Sequence, residues 1–266
     1  MQKRHLNRRL YFREQISTSE KYYSDYLSPY VCLTPHSRVL EVGCGEGGNL
    51  VPFAQKGCYT YGIDMAGCRI EQAKNYFKEM DLRAVFLSED FLSTTPPTNE
   101  EVKFDVILLH DVIEHIERKR KLLDQLKSFL KKDGVVFVGF PAWRMPYGGH
   151  QQICKSFLCS HLPYLHLLPG FFYRNFLKIC GEPPGTIKEL MYLRKSRMDI
   201  NQFEILVKGN GFISLQRTLW LINPHYEQKF GLRPLRMPDW FSKLDYVRDF
   251  LSTSCWYILK MKEAQL

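Results

Sequence analysis

Between residues 38 and 141 the chain alternates apolar runs of strand length with segments of helical period, and this restricts the fold more than any other feature. Residues 38–42, 58–64, 84–87, 104–109 (FDVILL) and 135–140 (VVFVGF) read as strands, the last after an Asp133-Gly134 turn. Residues 49–56 and 70–80 read as helices, the second with Ile70, Ala73, Phe77 and Met80 on one face. Residues 112–130 read as a long amphipathic helix. Strands that are almost continuously apolar and alternate with helices imply a parallel sheet covered on both faces, a doubly wound α/β arrangement. The period is then lost: residues 142–198 are rich in aromatics, His, Pro and Gly. Residues 199–210 resume as a helix with Asp199 near its cap, and 211–221 and 252–260 read as a closing pair of strands. The expected organisation is a basic, helical N-terminal segment (1–30), an α/β core (31–141), a helical and aromatic insertion acting as a lid (142–198) and a segment completing the sheet (199–266).

Residues 39–50, VLEVGCGEGGNL, pass from the first strand through four glycines in six positions. A strand–glycine turn–helix lets a ligand touch bare backbone where free N–H groups point outward. The run satisfies GxGxxG, and Asp64 at the end of the second strand is placed to accept both hydroxyls of a ribose. To this point a dinucleotide site and an adenosyl-cofactor site look alike. Glu41 before the turn and Glu46 within it oppose a dianionic pyrophosphate but suit a ligand carrying sulfonium and ammonium groups. Ser88-Glu89-Asp90-Phe91 after the third strand offers a carboxylate for an adenine amino group and an aromatic for its ring face.

With VLEVGCGEGG, YGIDMA, SEDF, FDVILLHDVIEHI and VVFVGFP in this order, the chain resembles the class I S-adenosylmethionine-dependent methyltransferases. The resemblance implies a Rossmann-like, seven-stranded, mostly parallel sheet with a reversed last strand. It implies an enzyme that uses S-adenosylmethionine and yields S-adenosylhomocysteine. Gly43, Cys44, Gly45 and Gly47 would shape the methionine end of the pocket, with Glu41 supporting the loop. Asp64 would hold the ribose, Met65 would pack on the adenine, Asp90 and Phe91 would take its edge and face, and His110 would stand beside the sulfonium.

His110-Asp111-Val112-Ile113-Glu114-His115 follows the fourth strand, at the carboxyl end where such sheets bind ligands. On a helix Asp111, Glu114 and His115 share one face. They are similar to the E-x-x-E-H metal motif of ubiquinone-pathway O-methyltransferases and of a small-RNA methyltransferase group, with Asp in place of the first Glu. That leaves open two readings: a divalent ion such as Mg2+ on these three residues, or a helix start that floors the pocket, with Asp111 and His115 acting in catalysis. From the insertion, Trp143, Arg144 and Tyr147 are candidates for the substrate wall, His150 for a base or orienting group, and Gly148-Gly149 for a hinge. For His161 and His166 ordinary hydrogen bonds are expected.

Lys and Arg outnumber Asp and Glu 37 to 28, a net charge of +9 that suits an anionic partner or a basic enzyme surface. Lys3, Arg4, Arg8, Arg9 and Arg13 read as a frayed, basic terminus. Eight cysteines without paired spacing and no secretory leader point to reduced thiols in a cytoplasmic protein. The apolar stretch 162–172 is cut by Pro163, Pro169 and Gly170 and cannot span a bilayer, while contact with a membrane surface stays open. The function expected is transfer of a methyl group to an oxygen, before nitrogen or carbon, of a small or lipid-like acceptor. An RNA or metal-dependent methyltransferase and a non-catalytic cofactor-binding protein are the alternatives.

Overall fold

The computed structural model describes residues 7–262, so Lys3 and Arg4 lie outside the described residues. α1 (Arg8–Thr18) runs through a π-helical turn (Ser19–Tyr23) into α2 (Ser24–Leu27). β1 (Arg38–Val42), α3 (Val51–Gln55), β2 (Tyr59–Asp64), α4 (Gly67–Glu79) and β3 (Val85–Ser88) follow. Then come β4 (Phe104–His110), α5 (Lys119–Phe129) and β5 (Leu130–Phe140). The insertion after β5 contains α6 (Phe157–His161), α7 (Gly170–Ile179) and α8 (Pro184–Ser196). α9 (Ile200–Gly209) leads to β6 (Phe212–Ile222). A second insertion holds α10 (His225–Phe230), β7 (Leu235–Arg236), α11 (Asp239–Ser242) and α12 (Val247–Leu251), before β8 (Ser254–Met261).

The strands form one sheet in the order β3-β2-β1-β4-β5-β8-β6-β7. β1 to β5 are parallel, and β8 is reversed between β5 and β6. Eight strands replace the expected seven because the two-residue β7 adds to the outer edge of β6. Alternate residues of each strand enter opposite layers, as strand geometry requires. Leu40, Ile107, Leu109, Val136 and Val138 pack with α5 and α9. Val39, Val106, Leu108 and Phe137 pack with α1 to α4. The first insertion has a separate small core of Tyr173, Leu177, Leu190 and Leu193.

Two expectations are corrected here. The N-terminal segment is not frayed over residues 8–27: Phe12, Tyr23, Tyr26 and Leu27 are buried against the sheet, and Arg8 and Arg9 pair with Glu46 and Glu79. The long helix expected from residue 112 begins only at Lys119. The Asp111 N–H donates to the Gly139 carbonyl at 2.9 Å, extending the β4–β5 pairing by one step. Asp111 then takes a left-handed conformation (φ 54°) and redirects the chain into a single 3-10 turn, Ile113–His115. Asp111, Glu114 and His115 therefore do not share a helix face.

Candidate active site

The glycine turn leaves β1 with Gly43, Gly45 and Gly47 all at positive φ, which L-residues other than glycine adopt at a cost. A side chain at Gly47 would also meet the Phe86 ring at 2.8 Å. The turn is braced from β2: the Asp64 carboxylate accepts the Gly45 N–H at 2.9 Å and the Ala66 N–H at 2.8 Å. Cys44 is buried beneath the turn, while Met65 stands 74% exposed beside Asp64. Asp90 caps the next turn, accepting the Leu92 N–H. Phe91 is turned into the core, its ring 4.9 Å from that of Phe129, so the aromatic face that the resemblance assigns to adenine is already covered.

The acids flanking the turn are buried. Glu41 accepts a hydrogen bond from Asn49 at 2.7 Å through one oxygen, and its other oxygen has no partner. Burial pushes its carboxyl up to about 8. Glu46 is closed over by the Arg8 guanidinium. α1 therefore straps the turn, with the Phe12 carbonyl and the Gln15 side chain pressed against Gly48.

A cation approaching Glu41 lowers its proton affinity, so binding of a sulfonium- and ammonium-bearing cofactor is expected to release a proton near pH 7. Affinity should rise with pH up to about 8 and then level. Calorimetry in buffers of differing ionisation enthalpy reads this directly. Glu41→Gln should abolish the release, and an undiminished release in that variant would assign it elsewhere.

At the ends of β4 and β5 a second group converges. His110 is held among the rings of Tyr23, Phe137 and Trp256, with Nδ1 3.5 Å from the Asp111 carboxylate. Its ring lies against Gly139, where an added Cβ would stand 2.3 Å from it. Glu114 is 5% exposed and neither carboxylate oxygen has a hydrogen-bond partner. Burial, and then the charge of Asp111, hold its carboxyl well above the usual range. The His115 and His150 rings meet edge to face at 5.0 Å. Burial lowers both imidazoles, His150 to about 4 with His115 adding to the effect. His150 Nε2 is buried without a partner. Ligand atoms of Glu114, His115 and His150 all lie within 4.8 Å of one another.

Sequence reasoning placed Asp111 in this group, but among the described residues His150 takes its place and Asp111 is exposed. The phenols of Tyr11 and Tyr226 were not expected here. Burial raises both, and the Asp111 charge raises both further, so residues from α1 and α10 lie within electrostatic reach of Asp111. No local motif marks either tyrosine.

The candidate substrate wall is partly dispersed. Trp143 is buried against His166, whose Nε2 lies 2.7 Å from the Trp143 carbonyl. Arg144 turns to the second insertion, pairing with Asp249 and Asp199 and covering the Tyr246 ring. Tyr147 donates to the His161 carbonyl at 3.0 Å. Gly148 and Gly149 are close-approach positions rather than an open hinge, since a Cβ on either would stand 2.2 Å from Trp143 or His166. His161 bonds within its own helix, as expected.

Residues 12–153 match the family model described as a methyltransferase domain. The chain belongs to this methyltransferase family. The methyltransferase is 29% identical over 178 residues to the ubiquinone biosynthesis O-methyltransferase of Bartonella tribocorum, covering 62% of this chain and 70% of that protein. It matches the same enzyme of Histophilus somni at 32% identity over 44% of this chain and 52% of the relative, so it spans only about half of some relatives. The Schizosaccharomyces pombe mRNA cap guanine-N(7) methyltransferase is 35% identical over 39% of the chain and 31% of its own length.

The fold recurs in a Clostridium acetobutylicum S-adenosylmethionine-dependent methyltransferase (TM-score 0.59, 10% identity, 93% of this chain and 92% of that one). It recurs in the Synechocystis magnesium protoporphyrin IX methyltransferase with bound S-adenosylhomocysteine (TM-score 0.53, 17% identity, 94% and 84%). The methyltransferase is an enzyme, and S-adenosylmethionine is its cofactor. The bare, strapped turn and the unpartnered oxygen of buried Glu41 fit a cationic adenosyl donor. No helix among the described residues is long and apolar enough to cross a membrane.

Proposed function

We propose that this methyltransferase methylates an oxygen of a small or lipid-like acceptor held at the carboxyl ends of β4 and β5. The observation that carries this is the meeting of Glu114 and His150, where neither Glu114 carboxylate oxygen nor the buried His150 Nε2 has a hydrogen-bond partner. Buried polar atoms without partners are costly, and an acceptor hydroxyl would satisfy them. The names of several relatives, O-methyltransferases, support oxygen.

The bound cofactor supplies a methyl group on a positively charged sulfur. Asp64 would hold its ribose, the glycine turn with Glu41 its methionine end, and His110 would stand near the sulfur. His150 Nε2, neutral at pH 7, accepts the acceptor's O–H and fixes the line of attack. Such alignment supplies about 7–11 kcal/mol of barrier reduction at best. The cofactor would supply its methyl to the acceptor oxygen, the sulfur–carbon bond breaking as the carbon–oxygen bond forms. The acceptor proton then becomes strongly acidic, and an imidazole of low proton affinity suffices to take it. Transfer from 13C-methyl cofactor into metabolite extracts, read by NMR, tests the reading. An O-methyl product is expected; an N-methyl or C-methyl product overturns it.

One observation favours a second reading. Glu114, His115 and His150 present a carboxylate and two neutral imidazoles at mutual distances suited to a divalent cation. Mixed nitrogen and oxygen donors suit Mn2+, Fe2+ or Zn2+ better than Mg2+, which prefers oxygen. On this reading a chelator abolishes turnover and Mn2+ restores it, with His115→Ala losing the restoration. Full turnover after chelation leaves the metal-free reading.

A further inference from the structure

The insertion after β5 carries a surface that methyl transfer does not use. α7 turns Tyr173 and Leu177 into the insertion's own core. Its outward arc holds Phe171, Phe172 and Ile179, which are 72%, 61% and 85% exposed. On a ten-residue helix this leaves three large apolar side chains in water, with Arg174 and Lys178 alongside. Phe157 and Leu158 of α6 are also exposed, at 77% and 52%. Exposed apolar clusters of this kind mark interaction surfaces.

A cationic cleft lies next to the aromatic pair. It encloses about 480 Å3 and is lined by Met191, Arg194, Lys195, Arg197 and Gln202. Arg194 Nε and the Met191 methyl would each stand 3.6 Å from a Cβ at Gly170, the residue before Phe171. Residues 170–197 contain six Lys or Arg and two Glu. One of these acids, Glu182, is buried and accepts the N–H groups of Lys155 and Ser156; the other, Glu189, is exposed on α8. Among the described residues Arg174, Lys178, Lys195 and Arg197 enter no ion pair.

We propose that this face docks the enzyme on an anionic phospholipid bilayer. Phe171, Phe172 and Ile179 enter the boundary between headgroups and acyl chains, and the Arg194–Arg197 cleft takes a lipid phosphate. Aromatic side chains beside cations are what such a boundary accommodates, the ring in the apolar layer and the charge at the headgroup. A second copy of the chain suits the face poorly. A two-fold contact would set the same unpaired cations against themselves. The docking does not depend on the acceptor or on the metal reading, because it is read without turnover.

Flotation of the full chain with vesicles tests it. Binding is expected to vesicles of equal parts phosphatidylcholine and phosphatidylglycerol, to weaken with salt, and to be at least about tenfold weaker with phosphatidylcholine alone. Phe171→Ser with Phe172→Ser should weaken binding about tenfold. Lys195→Glu with Arg197→Glu should remove the preference for anionic lipid. Both pairs lie on the surface, and unchanged calorimetric affinity for S-adenosylhomocysteine shows that the variants are folded. Absence of vesicle binding, or variants that bind as the parent does, overturns the proposal. So does a dimer in sedimentation that the Phe171/Phe172 variant abolishes, which would give the face to a second copy.

Discussion

Asp64→Ala is expected to weaken S-adenosylhomocysteine binding by about 3 kcal/mol, roughly 150-fold, at the upper end for hydrogen bonds to a charged partner. The size follows from two tasks. The Asp64 carboxylate braces the glycine turn through the Gly45 and Ala66 N–H groups. A carboxylate has about four acceptor positions, so it retains capacity for the ribose hydroxyls. Alanine loses both the brace and the ribose contact. Asp64→Asn keeps one acceptor oxygen and should fall between the two. Calorimetric titration measures all three, and an unchanged affinity in Asp64→Ala would remove this residue from the cofactor site.

The second large effect is on turnover. His150→Ala should lower kcat by about 10²–10⁴, the range for losing a positioned proton acceptor, with cofactor affinity almost intact. His150 sits at φ 55°, where alanine is strained. Asparagine, which tolerates the left-handed region, separates the backbone effect from the lost imidazole. His150→Asn should be as slow as His150→Ala. A loss of cofactor affinity instead would move His150 out of the acceptor pocket.

The legible part of the fold was the part governed by local pattern. β1 is an apolar run that ends at Val42 against the glycine turn, and β2 ends on Asp64, so their placement follows from strand length and from the turn and acid that close them. Asp199 was readable as a cap because a short acceptor before an apolar period has one economical use, and it accepts the Gln202 N–H at 2.8 Å. α1 was not legible. Its docking rests on Phe12 and on the pairing of Arg8 with Glu46, which lies far along the chain. The start of α5 was misplaced because one left-handed residue, Asp111, interrupts a sequence that keeps helical spacing.

The site divides in the same way. The glycine turn, Glu41 and Asp64 are contiguous with strands whose register carries them together. The meeting of His150 with Glu114 and His115 depends on how the insertion returns over β4, which no spacing encodes. Arg144 illustrates the converse. It follows β5 as a substrate residue would, but buried Asp249 and Asp199 offer it stronger partners.

A crystal structure of the S-adenosylhomocysteine complex addresses the arrangement as a whole. The ribose hydroxyls should rest on the Asp64 carboxylate, and the sulfur should face the hollow bounded by Glu114, His115 and His150. A nucleoside bound away from Asp64, or a sulfur directed away from those three side chains, would contradict it.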